Sequence, residues 1–191
     1  QRAVNTILAL NPQLVLMQCN TNYTGSLENF KYINLRVLNT YRSMYPELIL
    51  GLSDHTPGHA TVLGSVALGG RVIEKHFTDD RSRIGPDHPF SMNPEDWAAM
   101  VAATRQLENA LGSGEKFITG NETETAVIQR RCLRAARDIR AGETLTRAMI
   151  DILRPATPGA IKPHEVEVAV GLRALVDIPT GKELRWTMLG E

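Results

Sequence analysis

A pattern that occurs three times in residues 1–111 places the strongest constraint on the fold. Each time, a predicted strand is followed by a polar loop and then by an apolar helical stripe. The predicted strands cover residues 14–19, 48–52 and 71–76, and their lengths suit strands. Chains in which strands alternate with helices form parallel sheets with right-handed crossovers. The sequence therefore predicts a parallel α/β fold for its first part.

Each predicted strand leads to a predicted helix. The first helix stops before Pro46, because the residue before a proline disfavours helical backbone. The second covers residues 60–68 and closes at a pair of glycines. The third begins at Asn93 as cap with Pro94 at its first position and ends at Gly112. The apolar face of the first helix consists of Leu27, Phe30, Ile33, Val37, Leu38, Tyr41 and Met44.

Two architectures fit this alternation, a doubly wound sheet and a (β/α)8 barrel. No Gly-rich phosphate-binding fingerprint follows any of the strands, which counts against a nucleotide-binding sheet. A barrel needs about 250 residues, and three βα units are fewer than half of one. We therefore predict that residues 1–111 are the last three βα units of a TIM barrel. The chain starts within a predicted helix and without an initiator Met, so we expect it to lack the N-terminal half of that barrel.

The second part of the chain has a different pattern. Residues 112–130 are polar and show no clear periodicity, which is typical of a linker. Residues 131–191 contain an internal repeat, in which residues 134–145 match residues 173–184 with Arg, Ala, Asp, Ile, Gly and Leu in register. Each copy reads as a strand, a turn and a short second strand. This repeat predicts a small, mostly β domain with pseudo-twofold character.

Charge, hydropathy and cysteine content limit which kinds of protein this chain can be. Lys plus Arg (21) equals Asp plus Glu (21), so no bulk charge attracts nucleic acid or an acidic membrane. No apolar run approaches the roughly 20 residues that a membrane-spanning helix needs. Cys19 and Cys132 are far apart in the sequence and are expected to be reduced thiols. A cytoplasmic protein is the expectation.

Two histidines are the main candidates for chemistry. His55 and His76 each follow a predicted strand, and those strands are consecutive. In a parallel barrel the carboxyl ends of the strands converge on the active-site face. Two imidazoles there, with positions left open for water and substrate, suit Mn²⁺, Fe²⁺ or Zn²⁺. The alternative is a pair of loop histidines that are hydrogen-bonded to the backbone.

Carboxylates accompany these histidines. Because side chains alternate along a strand, Glu74 and His76 are expected to point into the barrel while Lys75 points away. An ion pair with a residue outside this chain is the alternative role for Glu74. Asp87 follows Gly-Pro in the loop after the third strand, so it is either a turn residue or part of the same barrel mouth.

Further polar residues are weaker candidates. Asn20, Thr21, Asn22 and Tyr23 follow the first strand and could bind sugar hydroxyls or a phosphate, although alone they read as a hydrophilic loop. Arg154 stands near the end of a strand of the second domain, where a surface arginine is the default.

Three motifs together resemble the sialic acid synthase family, which includes N-acetylneuraminate, legionaminic acid and pseudaminic acid synthases. They are Gly-Leu-Ser-Asp-His-Thr at residues 51–56, Val-Ile-Glu-Lys-His-Phe-Thr at 72–78 and Gly-Pro-Asp-His at 85–88. The likeness runs through essentially the whole chain. It implies the C-terminal portion of a (β/α)8 TIM barrel followed, at residues 131–191, by a small, mostly β SAF (antifreeze-like, β-clip) domain.

The resemblance also implies roles for individual residues. His55 and His76 match the pair that binds a divalent metal, usually Mn²⁺, with Mg²⁺ or Co²⁺ as further possibilities. Ser53 matches a contact to phosphoenolpyruvate. Asp87 and Tyr23 match positions that touch the N-acylated amino sugar. We expect Asp87 to act in catalysis as well.

Further implied roles concern the proton, the phosphate and a second subunit. Glu74, or a carboxylate outside the chain, would manage the protons. Arg154 matches a SAF-domain arginine that reaches the acyl group of the sugar in the neighbouring subunit of a dimer. The chain departs from the family around Asn20, Thr21 and Asn22, because Thr-Gly-Ser at 24–26 replaces a Pro-rich loop. Which residue of this loop meets the phosphate therefore stays open.

The resulting hypothesis is a metal-dependent synthase that condenses phosphoenolpyruvate with N-acetylmannosamine or a related N-acylated amino sugar and releases phosphate. The phosphate-binding lysines of the family belong to the first half of the barrel, so we expect this chain alone to be inactive. Two alternatives are a metal-dependent barrel aldolase or lyase that does not use phosphoenolpyruvate, and a non-catalytic carbohydrate-binding protein.

Overall fold

Three parallel strands, hydrogen-bonded in the order in which they occur along the chain, organise the first part of the molecule. The computed structural model describes residues 1–191. The strands are β1 (Val15–Cys19), β2 (Ile49–Asp54) and β3 (Val72–Lys75). Their register places Cys19 opposite Ser53, and Ser53 opposite Glu74. The predicted parallel strands are confirmed, with bounds that differ by one or two residues from those predicted.

Helices pack on one face of this sheet. They are α2 (Val37–Met44) and α3 (Ala60–Ala67), and α4 (Pro94–Leu111) packs against α3, while α1 (Arg2–Leu8) precedes β1. Alternation along the strands sends one set of side chains to the helices. Of these, Leu50 and Leu52 are buried, and Ile73 packs against the buried helix residues Val62 and Met100. On the opposite face, Cys19 and Glu74 are exposed and Ser53 is half-buried.

The first predicted helix is divided in two, which corrects the sequence-based expectation. A 3₁₀ helix covers Leu27–Tyr32, and α2 begins only at Val37. Between them Asn34 adopts a left-handed φ of 50°, which a continuous right-handed helix cannot contain. Leu27, the first residue of the predicted apolar face, is 75% exposed. The three- and four-residue spacing therefore did not reflect one continuous helical face.

The helix that begins at Asn93 agrees with its prediction. The Asn93 side chain accepts a hydrogen bond from the Asp96 amide at 2.9 Å, and Pro94 occupies the first turn, where its missing N–H costs nothing. The helix ends before Gly112, whose φ is 58°. The bounds of α4 are therefore specified locally, by capping residues at both of its ends.

The chain divides into two units, residues 1–115 and residues 116–191. The second begins with a loop, a 3₁₀ turn and the short helix α5 (Thr123–Ile128), within the stretch predicted to be a linker. Thr119 and Glu122 form a capping box in front of α5, which is a local signal for a helix. Two antiparallel strand pairs follow, β4 (Cys132–Ala135) with β5 (Ile150–Leu153) and β6 (Arg173–Ala174) with β7 (Leu189–Gly190), and the helix α6 (Val166–Ala169) lies between them.

The repeat of the second unit is visible in its hydrogen bonds. Ile139 and Ile178, which occupy equivalent positions, donate to each other's carbonyl oxygens at 2.9 and 2.8 Å. Asp138 accepts from the Thr180 amide and Asp177 from the equivalent Ala141 amide, both at 2.8 Å. The predicted pseudo-twofold character is thereby confirmed. One apolar core serves both copies; its fully buried members include Leu133, Ile139, Leu145, Ile161, Ile178 and Leu184.

None of the helices is long and apolar enough to cross a membrane.

Candidate functional site

Two histidine rings meet at the carboxyl edge of the parallel sheet. His55 follows the last residue of β2, and His76 follows the last residue of β3. Their ring centroids are 5.1 Å apart, with an angle of 66° between the ring planes. Because the two strands are neighbours and parallel, residues 21 positions apart in sequence share one small region. The structure thus brings together the pair that the sequence singled out.

The orientation of His55 is fixed by the loop that follows β1. Its Nδ1 lies 2.8 Å from the backbone oxygen of Asn20. A carbonyl oxygen only accepts hydrogen bonds, so Nδ1 carries a hydrogen, and in the neutral ring Nε2 is then the nitrogen with the lone pair. Such a backbone contact is typical of histidines that bind metals through the other nitrogen. His55 is also buried, with 4% of its surface exposed.

The Asn20 side chain forms hydrogen bonds within the segment that follows β1, and that of Thr21 does not. Asn20 donates from its amide to the Tyr32 oxygen at 3.3 Å and accepts from the Asn22 amide at 3.2 Å. Thr21 is exposed and makes no side-chain hydrogen bond. Sequence reasoning considered the side chains of this loop and missed the contribution of the Asn20 carbonyl, because a backbone contact leaves no pattern in residue types.

Aromatic rings surround the two imidazoles. The Tyr23 ring lies 4.1 Å from that of His55 and 5.6 Å from that of His76, measured between centroids. Phe90 approaches His76 at 5.1 Å. Tyr23 is half-exposed, so part of its surface remains available to a ligand. The rings partly shield the imidazoles from water, which strengthens electrostatic contacts there.

Asp87 reaches His76 from the long loop after β3. Its Oδ2 lies 3.6 Å from Nδ1 of His76. The loop returns to the strand because Met92 donates to the His76 oxygen and Thr78 donates to the Met92 oxygen, both at 2.9 Å. A carboxylate beside one imidazole nitrogen orients the ring and raises the basicity of the other nitrogen. Asp87 therefore has the position of an orienting group for His76.

Ser53 and Glu74 stand side by side on the sheet face that the helices leave uncovered. They are paired in the strand register, and Cys19 is the next residue across. Neither Ser53 nor Glu74 makes a side-chain hydrogen bond or ion pair within the chain, and Glu74 is exposed. Glu74 and Lys75 point to opposite faces, as strand alternation predicts. Both Ser53 and Glu74 are thus free to contact a ligand.

A buried ion pair on the other face was missed by sequence reasoning. Lys75 contacts Asp54 at 2.5 Å and donates to the Thr56 oxygen at 2.7 Å. Asp54 also accepts from the Thr61 hydroxyl at 2.6 Å. The sequence did contain a signal for this pair. Asp54 and Lys75 each directly precede one of the two histidines, and strand alternation places both side chains on the face opposite the histidines. The pair ties together the strand ends that carry His55 and His76.

Arg154 belongs to the second unit. It directly follows β5, is exposed, and makes no hydrogen bond or ion pair within the chain. Its guanidinium is therefore unengaged and able to bind an external acceptor.

A divalent metal would find two nitrogen ligands at this site. His55 presents Nε2, and because Nδ1 of His76 faces Asp87, Nε2 is the nitrogen of His76 that is left for a metal. No group of three or more His, Cys, Asp or Glu side chains in the chain is arranged to hold a metal ion. The two imidazoles fit a partial, open coordination shell, in which substrate or solvent oxygens complete the set.

Comparison with known proteins gives two family matches. The NeuB family model matches residues 1–116, and the SAF domain model matches residues 130–190. An N,N'-diacetyllegionaminic acid synthase of Legionella pneumophila is 37% identical over 178 residues, which cover 93% of this chain and 48% of the relative. A pseudaminic acid synthase of Campylobacter jejuni is 34% identical over 175 residues, which cover 92% of this chain and 49% of the relative.

The solved structures include a similar fold. The crystal structure of the spore coat polysaccharide biosynthesis protein SpsE from Bacillus subtilis superposes with a TM-score of 0.52 and 31% identity, covering 100% of this chain and 57% of that chain. This chain thus spans about half the length of the curated relatives that it matches.

Proposed function

The chain belongs to the NeuB family and carries a SAF domain, and we propose that the full-length protein is a synthase of sialic-acid-type sugars. It condenses phosphoenolpyruvate with an N-acylated amino sugar and releases phosphate. The single observation that carries this proposal is the meeting of His55 and His76 at the carboxyl edge of the sheet. Relatives named as legionaminic and pseudaminic acid synthases support it.

The proposal includes the architecture of the whole enzyme. Residues 1–111 supply the last three βα units of a (β/α)8 TIM barrel, residues 112–130 link it onward, and residues 131–191 form the SAF domain. Two features of the sheet support a barrel. Its strands are parallel and adjacent in chain order, and its helix-free face carries the polar residues Ser53 and Glu74, which would line the barrel mouth.

We assign a divalent metal, Mn²⁺ in the first instance with Mg²⁺ or Co²⁺ as alternatives, to His55 and His76. When bound, it supplies Lewis-acid polarisation of the sugar aldehyde. The backbone oxygen of Asn20 holds His55 in the required tautomer, and Asp87 orients His76. The remaining ligands come from substrate, solvent or residues outside this chain.

The protein residues divide the other tasks. Ser53 binds phosphoenolpyruvate beside the metal ligands, and Asn20 or Thr21 contacts its phosphate. Tyr23 and Asp87 contact the sugar. Carbon 3 of phosphoenolpyruvate forms a bond to the aldehyde carbon, water adds at carbon 2, and phosphate leaves with cleavage of its bond to carbon 2. Glu74, exposed on the same sheet face, takes up or delivers the proton that this sequence requires.

Arg154 completes the site from a second subunit. We propose a homodimer in which the SAF domain of one subunit covers the barrel mouth of the other, so that Arg154 reaches the acyl group of the sugar. The exposed and unpaired state of Arg154 within this chain supports such a role. We expect the 191-residue chain alone to be inactive, because it spans about half of its relatives.

The test is a phosphate-release assay with the full-length protein. It is incubated with phosphoenolpyruvate, Mn²⁺ and each of three sugars: N-acetylmannosamine, its 6-phosphate and a diacetamido-dideoxy hexose. Metal-dependent release of phosphate with one sugar, together with a product whose mass equals that sugar plus pyruvate, supports the proposal and names the substrate. If the folded, metal-bound protein releases no phosphate, the aldolase or carbohydrate-binding function takes its place.

A further inference from the structure

The segment that directly follows Arg154 is held by a buried carboxylate. Glu183, whose exposed fraction is 8%, accepts hydrogen bonds from both the amide and the hydroxyl of Thr157. One carboxylate therefore fixes the backbone and the side chain of the same residue, three positions beyond Arg154.

Two arginines complete this contact. Arg134 donates to the Pro155 oxygen at 2.7 Å and to Glu183 at 2.9 Å. Arg185 donates to the Pro158 oxygen at 2.9 Å and to the Thr157 hydroxyl at 2.7 Å. Backbone groups of Pro155, Thr157 and Pro158 thus have charged partners that belong to β4 and to the segment before β7. Charge-assisted hydrogen bonds are the stronger kind, so the segment is held firmly.

The internal repeat provides a comparison within the same molecule. Arg134 and Arg173 occupy equivalent positions, and each donates to the oxygen of an equivalent glycine, at 2.7 Å for Gly181 and 3.2 Å for Gly142. Each arginine also forms an equivalent antiparallel bridge, Arg134 with residue 183 and Arg173 with Thr144. The two copies therefore share backbone and arginine and differ in the residue that faces the arginine.

The fold itself does not require a carboxylate at this position. At the equivalent position, Thr144 forms the same bridge with Arg173, and Arg173 makes the same contact with a glycine oxygen, although no carboxylate is present there. A buried carboxylate is costly unless hydrogen bonds and positive charges stabilise it. Burial raises the pKa of Glu183, but the Thr157 hydrogen bonds and the charges of Arg134 and Arg185 outweigh this and lower it overall.

We propose that Glu183 is a positioning residue for the sugar-binding arginine: it fixes residues 155–158 so that Arg154 is presented in one orientation. This inference rests on the proposed function, in which Arg154 contacts the acyl group of the sugar. Of the two equivalent pairings, Arg134 with Glu183 and Arg173 with Thr144, the site is the one that adjoins Arg154, and none of its side chains needs to touch the substrate.

The test replaces Glu183 by the residue that the other copy carries. In the full-length protein, Glu183→Thr is expected to raise KM for the acylamino sugar roughly tenfold, because a mobile Arg154 loses binding free energy. KM for phosphoenolpyruvate is expected to stay within about twofold, since Arg154 contacts only the sugar. Hydrogen exchange of the Thr157 amide should accelerate in the same variant, which is a readout independent of activity.

A matched control and a second variant separate positioning from general destabilisation. Glu143→Thr removes a carboxylate that pairs with Arg137 in the same unit and does not contact residues 155–158, so it should leave both KM values and Thr157 exchange unchanged. Thr157→Val removes only the hydroxyl and leaves the charges in place. It should raise KM for the acylamino sugar by a smaller factor than Glu183→Thr does.

The outcomes are distinguishable. An active wild type whose Glu183→Thr variant keeps its sugar KM, or loses affinity for both substrates alike, overturns this proposal alone. A slowed Thr157 exchange or an effect of Glu143→Thr equal to that of Glu183→Thr also overturns it. A wild type that releases no phosphate with any sugar overturns the proposed function, and this inference with it.

Discussion

Lys75 Nζ lies 2.5 Å from Asp54 Oδ2, and both side chains are almost fully removed from solvent. Asp54 is the last residue of β2 and Lys75 the last residue of β3, and each is followed directly by one histidine of the candidate site. The pair holds the two strand ends together from the helix-covered face, while the histidines project on the other side. The distance between the two imidazoles therefore depends on the contact between Asp54 and Lys75, in which neither histidine takes part.

Loss of one partner is expected to destabilise the first unit strongly. Lys75→Met leaves the Asp54 carboxylate buried without its cation, at a cost of about 3 to 5 kcal/mol in the free energy of unfolding. Chemical denaturation of the full-length protein measures this cost. The double variant Asp54→Asn with Lys75→Met leaves no buried charge and should lose clearly less than Lys75→Met alone.

A surface ion pair supplies the control. Lys31 and Glu28 are 3.3 Å apart, and their side chains are 71% and 65% exposed. Lys31→Met should change the free energy of unfolding by at most about 1 kcal/mol. Equal effects of Lys75→Met and Lys31→Met would show that the buried pair does not hold the strands together.

The parts of the fold that local chemistry specifies were predictable from the sequence. The bounds of α4 follow from Asn93, Pro94 and Gly112, and the parallel strands follow from their apolar runs and the helices between them. The break before α2 could not be predicted from the sequence, because apolar residues at three- and four-residue spacing fit one continuous helix as well as two shorter helices. A single left-handed residue, Asn34, decides between them.

The left-handed conformation of Asn34 makes this position sensitive to the residue type. Asn34→Ala should cost about 1 kcal/mol, because a Cβ without a polar side chain disfavours a φ of 50°. Asn34→Gly should be nearly neutral, since glycine adopts this conformation freely. Thermal unfolding of the two variants measures the difference. A helix that runs through residue 34 would give the opposite order, with Ala more stable than Gly.

The candidate site was predictable in its residues and not in their arrangement. Both histidines could be placed at strand ends from the pattern alone. The contact of His55 with the Asn20 carbonyl and that of His76 with Asp87 depend on how two loops fold back. No short-range signal in the sequence specifies such long-range contacts, and the same holds for the contact of Glu183 with Thr157.

Acid is expected to weaken the second unit through Glu183. The folded state lowers the pKa of this carboxyl below its ordinary value, through the Thr157 hydrogen bonds and the charges of Arg134 and Arg185. Its stabilising contribution is therefore fully present above the unfolded pKa and is lost as pH falls through the lowered one. Its neighbours are Thr157, Arg134, Arg185 and the Cys132 thiol. Hydrogen exchange of the Ile139 and Ile178 amides between pH 3 and 6, corrected for intrinsic rates, measures the stability of this unit.

Glu183→Gln should remove part of that pH dependence, so that the stability of the second unit changes less between pH 5 and pH 3 than in the wild type. Glu167→Gln, at an exposed position, serves as the control and should keep the wild-type profile. An unchanged profile in Glu183→Gln would refute the stabilising contribution of the buried carboxylate.

The most direct test of the central claim is a measurement of Mn²⁺ binding and Mn²⁺-dependent phosphate release for the full-length wild type, His55→Ala, His76→Ala and the control His164→Ala. We predict that the wild type and His164→Ala bind Mn²⁺ and release phosphate in the presence of one acylamino sugar. Both other variants should lose metal affinity and turnover by roughly 100-fold or more. Full Mn²⁺-dependent turnover in His55→Ala or His76→Ala would contradict the account.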